Sequence, residues 1–187
     1  MTFTGLRRIS DASVEPISLT EAKEYLRVDH DDENSLIEAM VRAARINCER
    51  ETRRAFVSQT WVLTAAEFPA RGLALYNPPL ISVDSVEYRD EDGAWQTLAD
   101  TEYEADLYEE PARLMITGTQ PGTGTHRDAW KVTYTAGYGA AAADVPEDIR
   151  AAVQLILKSL YEREEDGGTL HDAASRILNN WKIPGEI

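Results

Sequence analysis

Apolar positions recur with a helical period near both ends of the chain and with a period of two between them. In ISLTEAKEYLRV, Leu19, Ala22, Tyr25 and Leu26 fall at helical intervals, and Ser18 precedes Glu21 by three residues, the spacing of a capping box. The pattern predicts a short helix over 19–27. A longer one is predicted from near Asp32 to Arg53, with Leu36, Ile37, Met40, Val41, Ala44 and Cys48 on one stripe. Glu38, Arg42, Arg45, Glu49 and Arg53 fall largely off that stripe, and Glu38–Arg42 and Glu49–Arg53 have helical i, i+4 spacing. A third helix is predicted after AAAADVPEDIR. Asp144 and Glu147 have capping-box spacing, Pro146 sits in the first turn, and Ile149, Ala152, Val153, Ile156, Leu157, Leu160 and Tyr161 form a core-facing stripe. That stripe is expected to pack on residues 36–48.

Between Gln59 and Tyr138 the alternation predicts strands in TWVLTA, LISVDSVEYR, AWQTL, YEADLY, RLMIT and WKVTYTA. Gly93 in DEDG suits a hairpin turn, and Pro78 and Pro79 break any ladder before the longest strand. Trp61, Trp95 and Trp130 lie in strand patterns, where sheet core is the expected place for them. The fold class is α+β: a helical core formed by N-terminal and C-terminal helices, an inserted antiparallel β subdomain and an extended C-terminal tail. The expected divisions are 1–58 (N-terminal helical part), 59–138 (β insert), 139–166 (C-terminal core helix) and 167–187 (C-terminal arm), with Gly167 and Gly168 as a hinge. A short helical pattern covers Leu170 to Leu178; beyond it, Trp181, Ile183 and Ile187 are large apolar residues without a core of their own, so their burial is expected to need another surface.

Length and composition narrow the reading further. The 187 residues suit one unit, or a core with an inserted subdomain, and no apolar run approaches the length of a membrane span. MTFTGLRRIS lacks the apolar region of a secretion signal, so synthesis in a cytosol is expected. A formal charge of −14 disfavours sequence-specific DNA binding, but suits a surface along which DNA slides without sticking.

The unbroken acidic run Asp29, His30, Asp31, Asp32, Glu33 invites a divalent-metal reading. It lacks the alternating acids, central glycine and distal glutamate of a calcium loop, and it runs straight into a helical stripe. The favoured reading is a helix entrance, with Asp31 or Asp32 capping free N–H groups; a metal-dependent enzyme using 29–33 is the alternative. Cys48, on an apolar stripe, reads as an inert buried thiol, and His30, His126 and His171 are far apart in sequence. GTQPGTGTHRD (118–128) and AGYG (136–139) lack the endings of phosphate-binding loops and read as turns, the first joining two strands. No cofactor is implied.

Taken in order, SLTEAKEYLRVDHDDEN, AARINCERETRRAFVSQTW, LYNPPLISVDSVEYRDEDG and YTAGYG leading to VPEDIRAAVQLILKSLYERE resemble the head-tail connector, or adaptor, proteins of long-tailed double-stranded DNA phages and gene transfer agents, over about residues 14–165. The resemblance implies a non-enzymatic virion protein located at the neck after synthesis in the host cytoplasm. It implies a homo-oligomeric ring, usually a dodecamer, beneath the portal protein, with a stopper or tail-completion protein on the other side, DNA only in transit and no membrane. By the same resemblance the C-terminal segment reaches the portal, which makes Leu178, Trp181, Ile183, Pro184 and Ile187 the expected contact residues. Another tail-completion protein with a similar helical core is the remaining structural alternative.

Overall fold

The structure, a computed structural model, describes residues 3–162 and 169–184. The described residues divide into two compact units, one of residues 12–57, 138–162 and 169–184, the other of residues 3–11 and 58–137. Residues 3–11, expected with the helical part, group with the β unit.

The helical unit contains α1 (Leu19–Leu26), α2 (Asn34–Thr52), α3 (Glu147–Tyr161) and α4 (Thr169–Leu178). The capping box expected for α1 is formed: Ser18 Oγ accepts from Glu21 N at 3.2 Å, and Glu21 Oε2 accepts from Ser18 N at 2.8 Å. Helices α1 and α2 both end on left-handed arginines, Arg27 at φ 61° and Arg53 at φ 59°. The turned chain satisfies terminal carbonyls, with Val28 N donating to Lys23 O and Arg54 N to Glu49 O.

Helix α3 packs against α2 and α4. Ile37, Val41, Ala44 and Cys48 from α2 meet Ile149, Ala152, Val153, Ile156 and Leu157 from α3 in one buried cluster, which Ala174 and Leu178 of α4 complete. Two expectations about α2 are corrected. Leu36 lies 48% exposed, outside the core. Arg45, placed off the stripe by periodicity, is fully buried, because its guanidinium is paired on both sides: Nε with Glu15 Oε2 at 2.7 Å and Nη1 with Glu49 Oε2 at 2.8 Å.

At the start of α3 the expected capping box is also replaced. Pro146 is the N-cap and Asp144 turns back, accepting from Ala141 N at 2.8 Å. The proline ring carries no hydrogen-bond acceptor, so the helix starts without a side-chain cap.

Among the described residues the β unit has eight strands: β1 (Phe3–Ser10), β2 (Gln59–Ala65), β3 (Leu73–Leu75), β4 (Leu80–Arg89), β5 (Trp95–Thr97), β6 (Tyr103–Asp106), β7 (Ala112–Ile116) and β8 (Trp130–Ala136). They form an antiparallel sheet of order β1-β2-β8-β4-β5 and another of order β3-β7-β6. Trp130, Val132, Tyr134 and Ala136 of the central β8 are fully buried and alternate with half-buried neighbours, which is the period of two made visible in burial. Trp130 stacks edge-on to Phe68 at 5.0 Å, and the Tyr134 hydroxyl donates to Tyr76 O at 2.9 Å. Gly93, at φ 83°, turns β4 into β5 as its sequence suggests.

Strands β1 and β3 were not foreseen. FTGLRRIS has adjacent Arg7 and Arg8 and bulges after Phe3 and Arg8, so alternation is broken on an edge strand that only β2 pairs; LAL is too short to show a period. Of the three strand tryptophans, Trp130 is core and Trp61 half-buried, while Trp95 is 37% exposed beneath two cations, Arg89 at 4.5 Å and Lys131 at 4.6 Å.

Candidate functional site

The acidic run opens α2, but its carboxylates do not cap it. Glu33 holds the N-cap position without a side-chain cap bond. Asp31 accepts instead from Lys23 Nζ at 2.6 Å and Asn34 Nδ2 at 3.2 Å, and the Lys23 ammonium leads the interactions that hold its carboxyl below the usual range. Glu33 Oε2 accepts from the Tyr161 hydroxyl at 2.6 Å, and this bond to the neutral phenol raises the Tyr161 pKa. The run therefore ties α1 and α2 together through Asp31, and α2 and α3 through Glu33. The long-range partners, Lys23 and Tyr161, outcompete the backbone amides that the sequence offered. Asp32 stays 96% exposed, with His30 Nδ1 at 4.0 Å.

Among the described residues, no group of three His, Cys, Asp or Glu side chains is placed to hold a metal ion. A shallow open depression beside the run is lined by Thr20, Lys23, Glu24, Arg27, Val28 and Asp29, with no enclosed wall. Cys48 is buried, and desolvation pushes its thiol up to about 12, so it carries no thiolate chemistry near neutral pH.

The glycine-rich segment 118–128 joins β7 to β8, and it lies on the β4–β5 turn: a Cβ at Gly124 would come within 3.0 Å of Asp90 O. Its glycines allow this close approach of two loops.

The C-terminal segment departs most from expectation. Leu178 is fully buried in the helical core and Ile183 is 8% exposed, its N–H donating to Thr52 O at 3.0 Å. Trp181 packs against the same core, edge-on to Tyr138 with centroids 5.9 Å apart, under the Arg54 guanidinium at 5.9 Å. Its indole Nε1 donates to Asp148 Oδ2 at 2.8 Å, and Arg54 Nε donates to its carbonyl at 2.6 Å. Leu178, Trp181 and Ile183 thus have a core after all, that of their own unit. Pro184 is exposed; Ile187, Gly167 and Gly168 lie outside the described residues.

Exposed apolar side chains mark other surfaces. The β6–β7 tip presents Leu107 at 60% and Tyr108 at 100% exposure. An Asx turn, with Tyr108 N donating to Asp106 Oδ1 at 2.9 Å, and the Arg113–Glu109 ion pair at 3.0 Å shape that tip. Apolar Leu107–Tyr108 between acids and Pro111 is the sequence signal of this tip, masked by the strand-like alternation of YEADLY. In the helical unit Leu36 and Val14 (42%) are exposed. No helix among the described residues is long and apolar enough to cross a membrane.

No family model matches the chain, and neither does any curated protein. Solved structures do match. A chain in the neck of an empty gene transfer agent (GTA) particle, computed with C6 symmetry, is 19% identical with a TM-score of 0.82; one in the virion of a native GTA particle is 21% identical, also at 0.82. A chain in the neck of a native GTA particle, computed with C12 symmetry, is 20% identical with a TM-score of 0.80. Each match covers 98% of both chains, so the likeness takes in both units and their connections, at an identity that establishes fold.

Proposed function

We propose that the protein is a structural component of a virion neck: a head-tail connector subunit that forms a ring between a DNA-filled head and a tail. The observation that carries this is the end-to-end fold likeness, 98% of each chain, to chains of GTA particle necks. The ordered sequence segments that resemble connector proteins support the same reading. We read the role as mechanical and non-enzymatic: a ring is held by subunit contacts, and a net charge of −14 limits adhesion of passing DNA, because few cations are available to displace the counterions of its phosphates.

The proposed partners are further copies of the chain, a portal protein above and a stopper or tail-completion protein below. C12 symmetry in one matching neck supports twelve copies. The C-terminal segment is the proposed portal contact. Leu178, Trp181 and Ile183 act by holding it to the helical unit, and the exposed Pro184, together with Ile187, is the proposed point of contact. A density map of the intact particle neck tests the proposal. A ring of this chain beneath the portal, with residues from 184 onward against portal density, is the expected result; a neck built without this chain overturns it.

A further inference from the structure

Helix α2 is apolar on two sides. Successive helical residues lie about 100° apart, which places Leu36, Ala39, Ala43 and Ile46 in a sector of about 80°, opposite the buried Val41 and Cys48. Leu36, Ala39 and Ala43 are exposed and Ile46 is half-buried. On a surface helix this outward sector normally carries the charges. Here Glu38 and Arg42 stand beside the sector, and Arg50 alone stands at its centre, one turn beyond Ile46. The two alanines keep the strip low, so another surface can approach the helix backbone closely.

Charge around the strip is uneven. Exposed Arg50 and half-exposed Arg53 stand at the C-terminal end of α2 with half-exposed Glu51 between them, and exposed Arg42, in its middle, pairs with Glu15 at 3.6 Å. Exposed Glu24, Asp29 and Asp32 outnumber the exposed Arg27 in an acidic shoulder before its start. The side chains of Arg50, Glu24 and Asp29 make no hydrogen bond or ion pair among the described residues.

We infer that the outward face of α2, from Leu36 through Ala39, Ala43 and Ile46 to Arg50, docks on a second copy of this chain, with its basic end against the neighbour's acidic shoulder at Glu24, Asp29 and Asp32. The basic and acidic patches are different surfaces of one unit. A head-to-tail contact that pairs them once between neighbours repeats around a cyclic ring, whereas a two-fold contact would pair them twice and stop at a dimer, so association beyond a dimer marks the ring contact. This inference rests on the ring proposed above, and it supplies the surface that would close such a ring. Charge complementarity sets the orientation, and the apolar strip supplies area that water leaves on contact.

Sedimentation equilibrium of the full chain up to millimolar protein tests it, with helical content checked for each variant. The wild type is expected to self-associate, and Ala43→Arg and Arg50→Glu are each expected to weaken association about tenfold or more. The double variant Arg50→Glu, Asp32→Arg is expected to recover most of the loss, a rescue that damage to folding would not produce. A monomeric wild type, unaffected single variants or a double variant as weak as Arg50→Glu would each overturn the inference. The neck map separates this failure from failure of the connector reading. A ring in which α2 faces solvent sinks the inference alone; α2-dependent association of a chain absent from the neck sinks the connector reading alone.

Discussion

The indole N–H of Trp181 donates to the carboxylate of Asp148 at 2.8 Å, fastening the residues after α4 to the first turn of α3, 33 positions earlier in the chain. A segment that resembles a free arm is thereby part of the helical unit. Arg54 adds a bond to the Trp181 carbonyl, and Ile183 fills a site beside Thr52.

Replacing Trp181 with alanine should therefore destabilise the isolated protein. A half-buried tryptophan with one side-chain hydrogen bond gives an expected loss of about 2–3 kcal/mol. Asp148→Asn should cost less, about 1 kcal/mol, because the amide oxygen still accepts from the indole. Urea unfolding followed by tryptophan fluorescence and by far-ultraviolet circular dichroism checks both. A midpoint unchanged in Trp181→Ala would return the segment to the status of a free arm.

Arg45 is the second lever. Its charge is fully buried between Glu15 and Glu49, and Glu49 Oε1 also accepts from Phe56 N at 3.0 Å. Removing the cation leaves two carboxylates facing each other in a site shielded from water, so Arg45→Ala is expected to cost about 3–5 kcal/mol. Arg45→Met keeps much of the side-chain volume but loses the charge and the N–H donors that bond Glu15 and Glu49. Equal loss in the two variants, measured by chemical denaturation, would assign the effect to the ion pairs; a Met variant near wild type would assign it to packing.

Acid should weaken the α1 contact through Glu21. Its carboxyl pKa lies below the ordinary 4.5, first because Ser18 N–H and then its hydroxyl donate to it, with Arg150 contributing. A depressed folded-state pKa stabilises the protein at pH values above the unfolded pKa, and the contribution is lost as pH falls through the folded value. The wild type should melt higher than Glu21→Gln at neutral pH, and the two melting temperatures should converge as pH falls below about 4.5. A gap that stays constant with pH would exclude the carboxylate as its source.

Much of this fold was legible because its signals are local. The α3 stripe from Ile149 to Leu157 and the alternation of Trp130, Val132, Tyr134 and Ala136 each repeat with the period of their element, and each became core as read. The capping box of Ser18 and Glu21 needs only residues three apart, and it formed. The ordered sequence segments have a counterpart at the level of fold, where the chain is like chains of GTA particle necks over 98% of its length. What periodicity could not supply was the choice among long-range partners. Asp31 and Glu33 had backbone N–H groups nearby, yet took Lys23 and Tyr161, one of them 128 positions away.

The sequence by itself therefore determined which residues form the helices and six of the strands, where α1 begins, and that the chain is α+β with its helices towards the two ends. Tertiary structure decided that Arg45 goes inside, that β1 adds an edge strand beside β2, and that Leu178, Trp181 and Ile183 rest on their own unit. The physical reason is one of range. Period and capping are settled within about one or two turns of backbone, whereas a buried charge or a docked tail depends on partners such as Glu15, Asp148 and Thr52 that only folding brings near.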